Sequence, residues 1–121
     1  MEMRELDLAV RERGDTAVID LRGEIDSKAE RALESAYAEA TGSGATSVIL
    51  NFAEAEYMNS TGIALIVGLL AQARAQGIKI AACGLSDHYR EIFEITRLAD
   101  FMTITDTEDG AMSAADGRDD A

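Results

Sequence analysis

Asn59, Ser60, Thr61 and Gly62 follow the apolar run Val48-Ile49-Leu50-Asn51-Phe52 at a short distance and directly precede the apolar run that opens at Ile63. Hydroxyls at a strand-to-helix turn suit phosphate chemistry. The first turn of a helix leaves backbone N–H groups without partners and carries the positive end of the helix dipole, so an anion is welcome there. The plainer use of the same residues is capping, because Asn, Ser and Thr all serve at helix starts. Only one of the three can take the cap position, which leaves hydroxyl capacity for another purpose. Gly62 would let a partner come close to the backbone, or would let the helix pack tightly on a sheet.

The other residues with reactive side chains do not assemble into a reaction centre. His88 has no second His, no Cys and no acid at the spacing of a nucleophile and its base. Cys83 closes an apolar strand and reads as a small core residue. Glu54 and Glu56 alternate as in a solvated loop. There is no glycine-rich phosphate cradle and no cluster of ligands with zinc spacing, so the sequence implies no catalytic residue, no cofactor and no metal.

A formal charge of -12, from 23 acidic against 11 basic residues, disfavours nucleic acid and anionic membrane as partners and favours a basic patch on another protein. A lone cysteine precludes an internal disulfide and suits a reducing cytosol. Met1-Glu2-Met3-Arg4-Glu5 lacks the apolar stretch of a signal peptide, and the longest apolar run, Gly62 to Ala71, is far short of the ~20 residues of a membrane span. The expectation is a cytoplasmic protein. At 121 residues it has room for one domain with an aliphatic core, since aromatics make up only 5%.

The elements that must position the hydroxyls follow from periodicity. Leu6, Leu8 and Val10 alternate, Arg13-Gly14-Asp15 turns, and Ala17 to Leu21 returns, which predicts an N-terminal β-hairpin. Ser27-Lys28-Ala29-Glu30 has the order of a capping box, and Ala29, Leu33, Ala36, Tyr37 and Ala40 recur at helical spacing until Thr41-Gly42-Ser43-Gly44, where either glycine can end the helix. Val48 to Phe52 reads as a central strand covered on both faces. Ile63, Ile66, Val67, Leu70 and Ala73, widened by Leu65 and Leu69, predict a mostly buried helix that Gly77 stops. Ile78 to Ala82 is a further strand, Asp87 to Ile95 a helix opened by Ser86 or Asp87, and Thr103-Ile104-Thr105 a last strand. Strands alternating with helices require a partly parallel sheet, hence an α/β fold with a mixed sheet of four to five strands covered by helices. The domain is expected over residues 1–108, with an acidic, disordered tail over 109–121.

Met58-Asn59-Ser60-Thr61-Gly62 between an apolar strand and a buried helix resembles the signature of STAS domains, and the chain is most similar to the anti-sigma factor antagonists among them. The likeness extends from Leu6 to Thr105 and includes Leu21-Arg22-Gly23-Glu24-Ile25-Asp26 and Phe93-Glu94-Ile95-Thr96-Arg97-Leu98. The resemblance implies a non-enzymatic regulator of transcription that binds an anti-sigma serine kinase while unphosphorylated. Phosphorylation of the serine that aligns with Ser60 would switch it off. It implies a partner surface of Glu24, Asp26, Met58, Asn59, Ser60, Thr61 and Gly62, with the Glu24–Asp26 loop beside the signature loop. On spacing alone that loop is a strand exit with a cap. The family usually has Asp before the serine, and Asn59 keeps its hydrogen bonding but drops its charge. A second use, as an unphosphorylated scaffold module of a larger signalling or transport assembly, is also consistent with the resemblance. Self-association is left open.

Overall fold

The computed structural model describes residues 6–115. In chain order it contains β1 (Asp7–Arg13), β2 (Thr16–Ile25), a 3₁₀ turn (Ser27–Ala29), α1 (Glu30–Gly42), β3 (Ser47–Met58), α2 (Ser60–Gln76), β4 (Lys79–Cys83), α3 (Asp87–Ile95), a second 3₁₀ turn (Leu98–Asp100), β5 (Thr103–Thr105) and α4 (Glu108–Ala115). One five-stranded sheet runs β1-β2-β3-β4-β5. The hairpin β1–β2 is antiparallel and every other pairing is parallel, which is the mixed α/β architecture the alternation of strands and helices requires.

Strand periodicity divides the sheet into two faces. Ala17, Ile19 and Leu21 of β2, Val48, Leu50 and Phe52 of β3, and Ile80 and Ala82 of β4 join the main core with Leu33 and Tyr37 of α1, Ile66, Leu69 and Leu70 of α2, and Phe93 of α3. Phe93 meets Phe52 edge to face at 5.8 Å between ring centroids. The alternate residues Val18, Ile49, Ala81 and Cys83 form a smaller cluster under Ala111 of α4. Val48 to Phe52 is therefore central and covered on both sides, as its nearly continuous apolar run indicated.

Two local expectations are corrected and an open choice is decided. The capping box at Ser27-x-x-Glu30 does not form. Asp26, extended at φ -139°, accepts a hydrogen bond from the Lys28 N–H at 2.9 Å and opens a 3₁₀ turn, and α1 follows from Glu30 without a side-chain cap. An acceptor one residue upstream captures the first free N–H group before Ser27 can. Glu54 and Glu56 lie in β3 and not in a loop, because Arg22 to Ile25 supplies a parallel ladder for Glu54 to Met58. Their alternation is strand pleat. Of the two candidate glycines after α1, Gly42 stays helical and Gly44 takes the left-handed conformation at φ +97°.

The tail expected from residue 109 is displaced by α4. Ala111 is fully buried on the sheet, and Glu108 receives Arg11 at 2.8 Å and Arg13 at 2.7 Å from β1. The small residues that read as tail composition are what let this short helix lie close to the strands. The remainder of that expected tail, residues 116–121, lies outside the described residues. Gly77 ends α2 and Ser86 caps α3 through the Tyr89 N–H, both as expected. Among the described residues no helix is long and apolar enough to cross a membrane.

Candidate functional site

The Ser60 site is built at the carboxyl ends of β2 and β3. Both strands run beyond β4, whose pairing with β3 ends at Asn51–Cys83, and they pair as far as Ile25–Met58. The chain then leaves β3 and enters α2 with one intervening residue, Asn59. Its backbone is extended (φ -94°, ψ -176°) and its Oδ1 accepts from the Gly62 N–H at 2.8 Å. Asn59 is the cap. The capping duty that could have fallen to Ser60 is thereby discharged one residue earlier, and Ser60 becomes the first helical residue.

This geometry liberates the hydroxyls. Ser60 and Thr61 are both exposed, and neither hydroxyl is taken up by a hydrogen bond among the described residues. A phosphoryl group on Ser60 Oγ would sit beside the first N–H groups of a 17-residue helix whose first turn carries no acidic residue. Asn59 offers a neutral amide as the residue preceding Ser60, so the helix cap itself brings no carboxylate to oppose the phosphate.

Met58 and Gly62 are buried and hold the loop in place. A methyl group at Gly62 would collide with the Ile25 carbonyl oxygen, so the glycine is required by contact between the helix start and the end of β2. The backbone N–H of Asn59 adds a long hydrogen bond, 3.4 Å, to the same carbonyl. Of the two uses of Gly62 that the sequence left open, tight packing is the one present. These contacts bring Glu24, in the last stretch of β2, and Asp26, just after it, beside the signature loop, as the resemblance implied. Glu24 and Asp26 are both half-buried, and Asp26 is engaged with the Lys28 N–H.

Three features of the site escaped the sequence reading. Tyr89 of α3 accepts a hydrogen bond from the Met58 N–H at 2.9 Å and donates to the Met58 carbonyl at 3.3 Å, which ties the end of β3 to a helix 31 residues away. No local signal marks such a residue. Tyr57 stands 51% exposed immediately before the buried Met58, a large aromatic face next to the hydroxyls. The third feature is α2 itself, expected to be mostly buried. Ser60, Ala64, Val67, Gly68, Ala71 and Ala75 are all exposed, at a spacing that puts them on one side of the helix, and Val67 is 44% exposed. The first charged residue of α2 is Arg74, so an uncharged strip leads away from Ser60 along the surface. The small size of these residues on one helical face was the signal.

The two other residues with reactive side chains differ in exposure. Cys83 is 1% exposed, its thiol lies 3.6 Å from Asn51 Oδ1, and burial pushes it up to about 11. His88 is exposed at the start of α3 with its ring 4.9 Å from that of Tyr89.

Comparison with known proteins agrees with this geometry. Residues 7–111 match the STAS domain family. The chain is 30% identical over 88 residues to the anti-sigma-B factor antagonist of Staphylococcus aureus (strain NCTC 8325 / PS 47), covering 73% of this chain and 82% of the relative. It is 36% identical over 59 residues to that of Listeria monocytogenes (serovar 1/2a, strain EGD-e), covering 49% of this chain and 52% of the relative. The unphosphorylated form of the anti-sigma factor antagonist SpoIIAA superposes with a TM-score of 0.70 at 26% identity, over 93% of this chain and 99% of that one. The phosphorylated form of SpoIIAA, from Bacillus, does so with a TM-score of 0.68 at 26% identity, over 89% and 98%.

Proposed function

Because this chain belongs to the STAS domain family, and within it to the anti-sigma factor antagonists, we propose that it works as a phosphorylation-controlled binding partner of an anti-sigma serine kinase. In its unphosphorylated form it binds the kinase in the cytoplasm and frees a sigma factor, and phosphorylation at Ser60 ends the complex. The observation that carries this reading is that Asn59 caps α2 and leaves the Ser60 hydroxyl exposed and unengaged.

The switch has a physical basis. A phosphate adds about -1.5 to -2 charge and three strong acceptors at one point. The N-terminus of α2 can accommodate it, so the fold survives. A partner that has packed apolar or acidic surface over Ser60 and the uncharged face of α2 cannot, because the new charge would be desolvated without compensation. Glu24 and Asp26 supply acidic groups for Lys or Arg on the kinase, and at partly exposed positions they act mainly on the rate of encounter. Thr61 and Asn59 face the same partner, whereas Met58 and Gly62 contribute by holding the loop.

Incubation with the cognate kinase and ATP, followed by peptide mapping, tests the proposal. Phosphate is expected on the peptide containing Ser60 and absent from Ser60→Ala; phosphate elsewhere, or retained in that variant, overturns it. One residue favours a second reading, an unphosphorylated scaffold module: Asn59 stands where the family usually has Asp. Complexes that survive Ser60→Glu unchanged would support that alternative.

A further inference from the structure

Beyond Asn51–Cys83, where its pairing with β4 ends, β3 runs on to Met58 with β2 alone as its partner strand. Backbone groups on the open side need partners from elsewhere. At Met58 both come from one atom. The Tyr89 hydroxyl accepts from the Met58 N–H at 2.9 Å and donates to the Met58 carbonyl at 3.3 Å, while the next N–H, that of Asn59, turns to the Ile25 carbonyl of β2. A single hydroxyl, donor and acceptor at once, does for Met58 what a neighbouring strand would.

Tyr89 is itself fixed by its element. Its N–H donates to the Oγ of Ser86, the cap of α3, at 3.2 Å, and its half-buried ring packs on the main core. One turn further along α3, Phe93 is fully buried and meets Phe52 of β3 edge to face. The helix thus grips the part of β3 that extends past β4 at both of its ends, Phe52 and Met58. From Met58 the backbone reaches Ser60 through Asn59 alone, and on the other side Asn59 and Gly62 are both set against the Ile25 carbonyl. The serine therefore stands between two anchors, one from β2 and one from α3.

We infer that Tyr89 is a positioning residue for phosphoryl transfer to Ser60, an inference that rests on the switch proposed above. In that transfer Ser60 Oγ bonds to the γ-phosphorus of ATP as the bond from that phosphorus to the bridging oxygen breaks. ADP departs with the electron pair, and the serine proton passes to a base on the kinase. The attacking and leaving oxygens must lie in line, so the rate depends on where the serine oxygen is held. Affinity for the kinase depends instead on the exposed faces of the loops and of α2. Loss of one part-buried hydroxyl removes no group from those faces and loosens the aim of Ser60.

Steady-state phosphorylation by the cognate kinase, with the full chain as the varied substrate and ATP saturating, tests the assignment. Tyr89→Phe is expected to lower kcat about tenfold and to leave KM within about twofold. Tyr37→Phe supplies the comparison: it also removes one part-buried tyrosine hydroxyl, here the one that donates to Gln76 Oε1 at 2.6 Å at the far end of α2, and its kcat should stay at the parent value. Both variants are assayed below their unfolding midpoints. Unchanged kcat in Tyr89→Phe, a rise in KM alone, or an equal loss in Tyr37→Phe would overturn the inference. If the parent chain takes no phosphate at Ser60, the switch itself has failed, and ¹⁵N amide resonances then decide whether Tyr89 aims the loop. Those of Asn59, Ser60 and Thr61 shift in Tyr89→Phe when it does and stay in place when it does not.

Discussion

At the scale of single residues, the site depends on a division of labour between neighbours that could exchange roles. Asn59 takes the cap and so releases Ser60. Gly62 carries no side chain because the Ile25 carbonyl occupies the space. Gly62→Ala is accordingly expected to move the start of α2 and destabilise the fold by on the order of 3 kcal/mol, beyond what alanine gains in helix propensity. Equilibrium denaturation in urea measures this, and a neutral result would mean that the helix start tolerates displacement. The sequence contained the glycine and the three cap-competent residues. It could not say which would cap, since that choice depends on where β2 ends relative to β3.

At the scale of elements, two hydrogen bonds tether the end of β3 while one face of α2 stays exposed. The Tyr89 hydroxyl serves both the N–H and the carbonyl of Met58 from α3. Tyr89→Phe leaves a part-buried N–H without its partner and is expected to cost about 1–2 kcal/mol; faster amide exchange at Met58 and Asn59 than elsewhere in β3 would locate the loss. On α2, Val67 lies exposed on the uncharged strip that starts at Ser60. Val67→Glu should change stability by no more than about 0.5 kcal/mol while weakening kinase binding about tenfold or more. Calorimetric titration against the kinase reads that difference, and unchanged affinity would confine the interface to the loops. Helical spacing alone assigned Val67 to the buried face. An alanine- and glycine-rich outer surface makes the apolar stripe look continuous around the helix, and only packing on the sheet shows which side is covered.

At the scale of the whole molecule, a polar network crosses the sheet beneath α4. Arg11 binds Asp20 at 2.7 and 2.9 Å and also Glu108, and Asp20 accepts from Asn51 Nδ2 at 2.8 Å. The Arg11 guanidinium holds the Asp20 and Glu108 carboxyls below their usual range. The unfolded chain therefore binds these protons more tightly than the folded one, and the contribution is complete above the ordinary carboxylate range. It is lost as the pH falls through about 4 toward the lowered values. Denaturation midpoints are expected to drop over that interval, with α4 exchanging its amides first, and Arg11→Gln should flatten the dependence. A midpoint equally acid-sensitive in that variant would assign the effect to other carboxylates.

The sequence by itself determined the order of strands and helices as far as β5, most of the aliphatic core, the central place of β3 and the location of the hydroxyls at a helix start, because these follow from short-range periodicity and capping chemistry. The resemblance carried by Met58 to Gly62 added the family. Tertiary structure alone decided that Asn59 is the cap, that Gly62 faces Ile25, that Tyr89 braces Met58, and that α4 closes the second face where a tail was expected. Each of these depends on a contact between residues distant in the chain, and a linear pattern contains no distance across a sheet. The same packing exposes one side of α2.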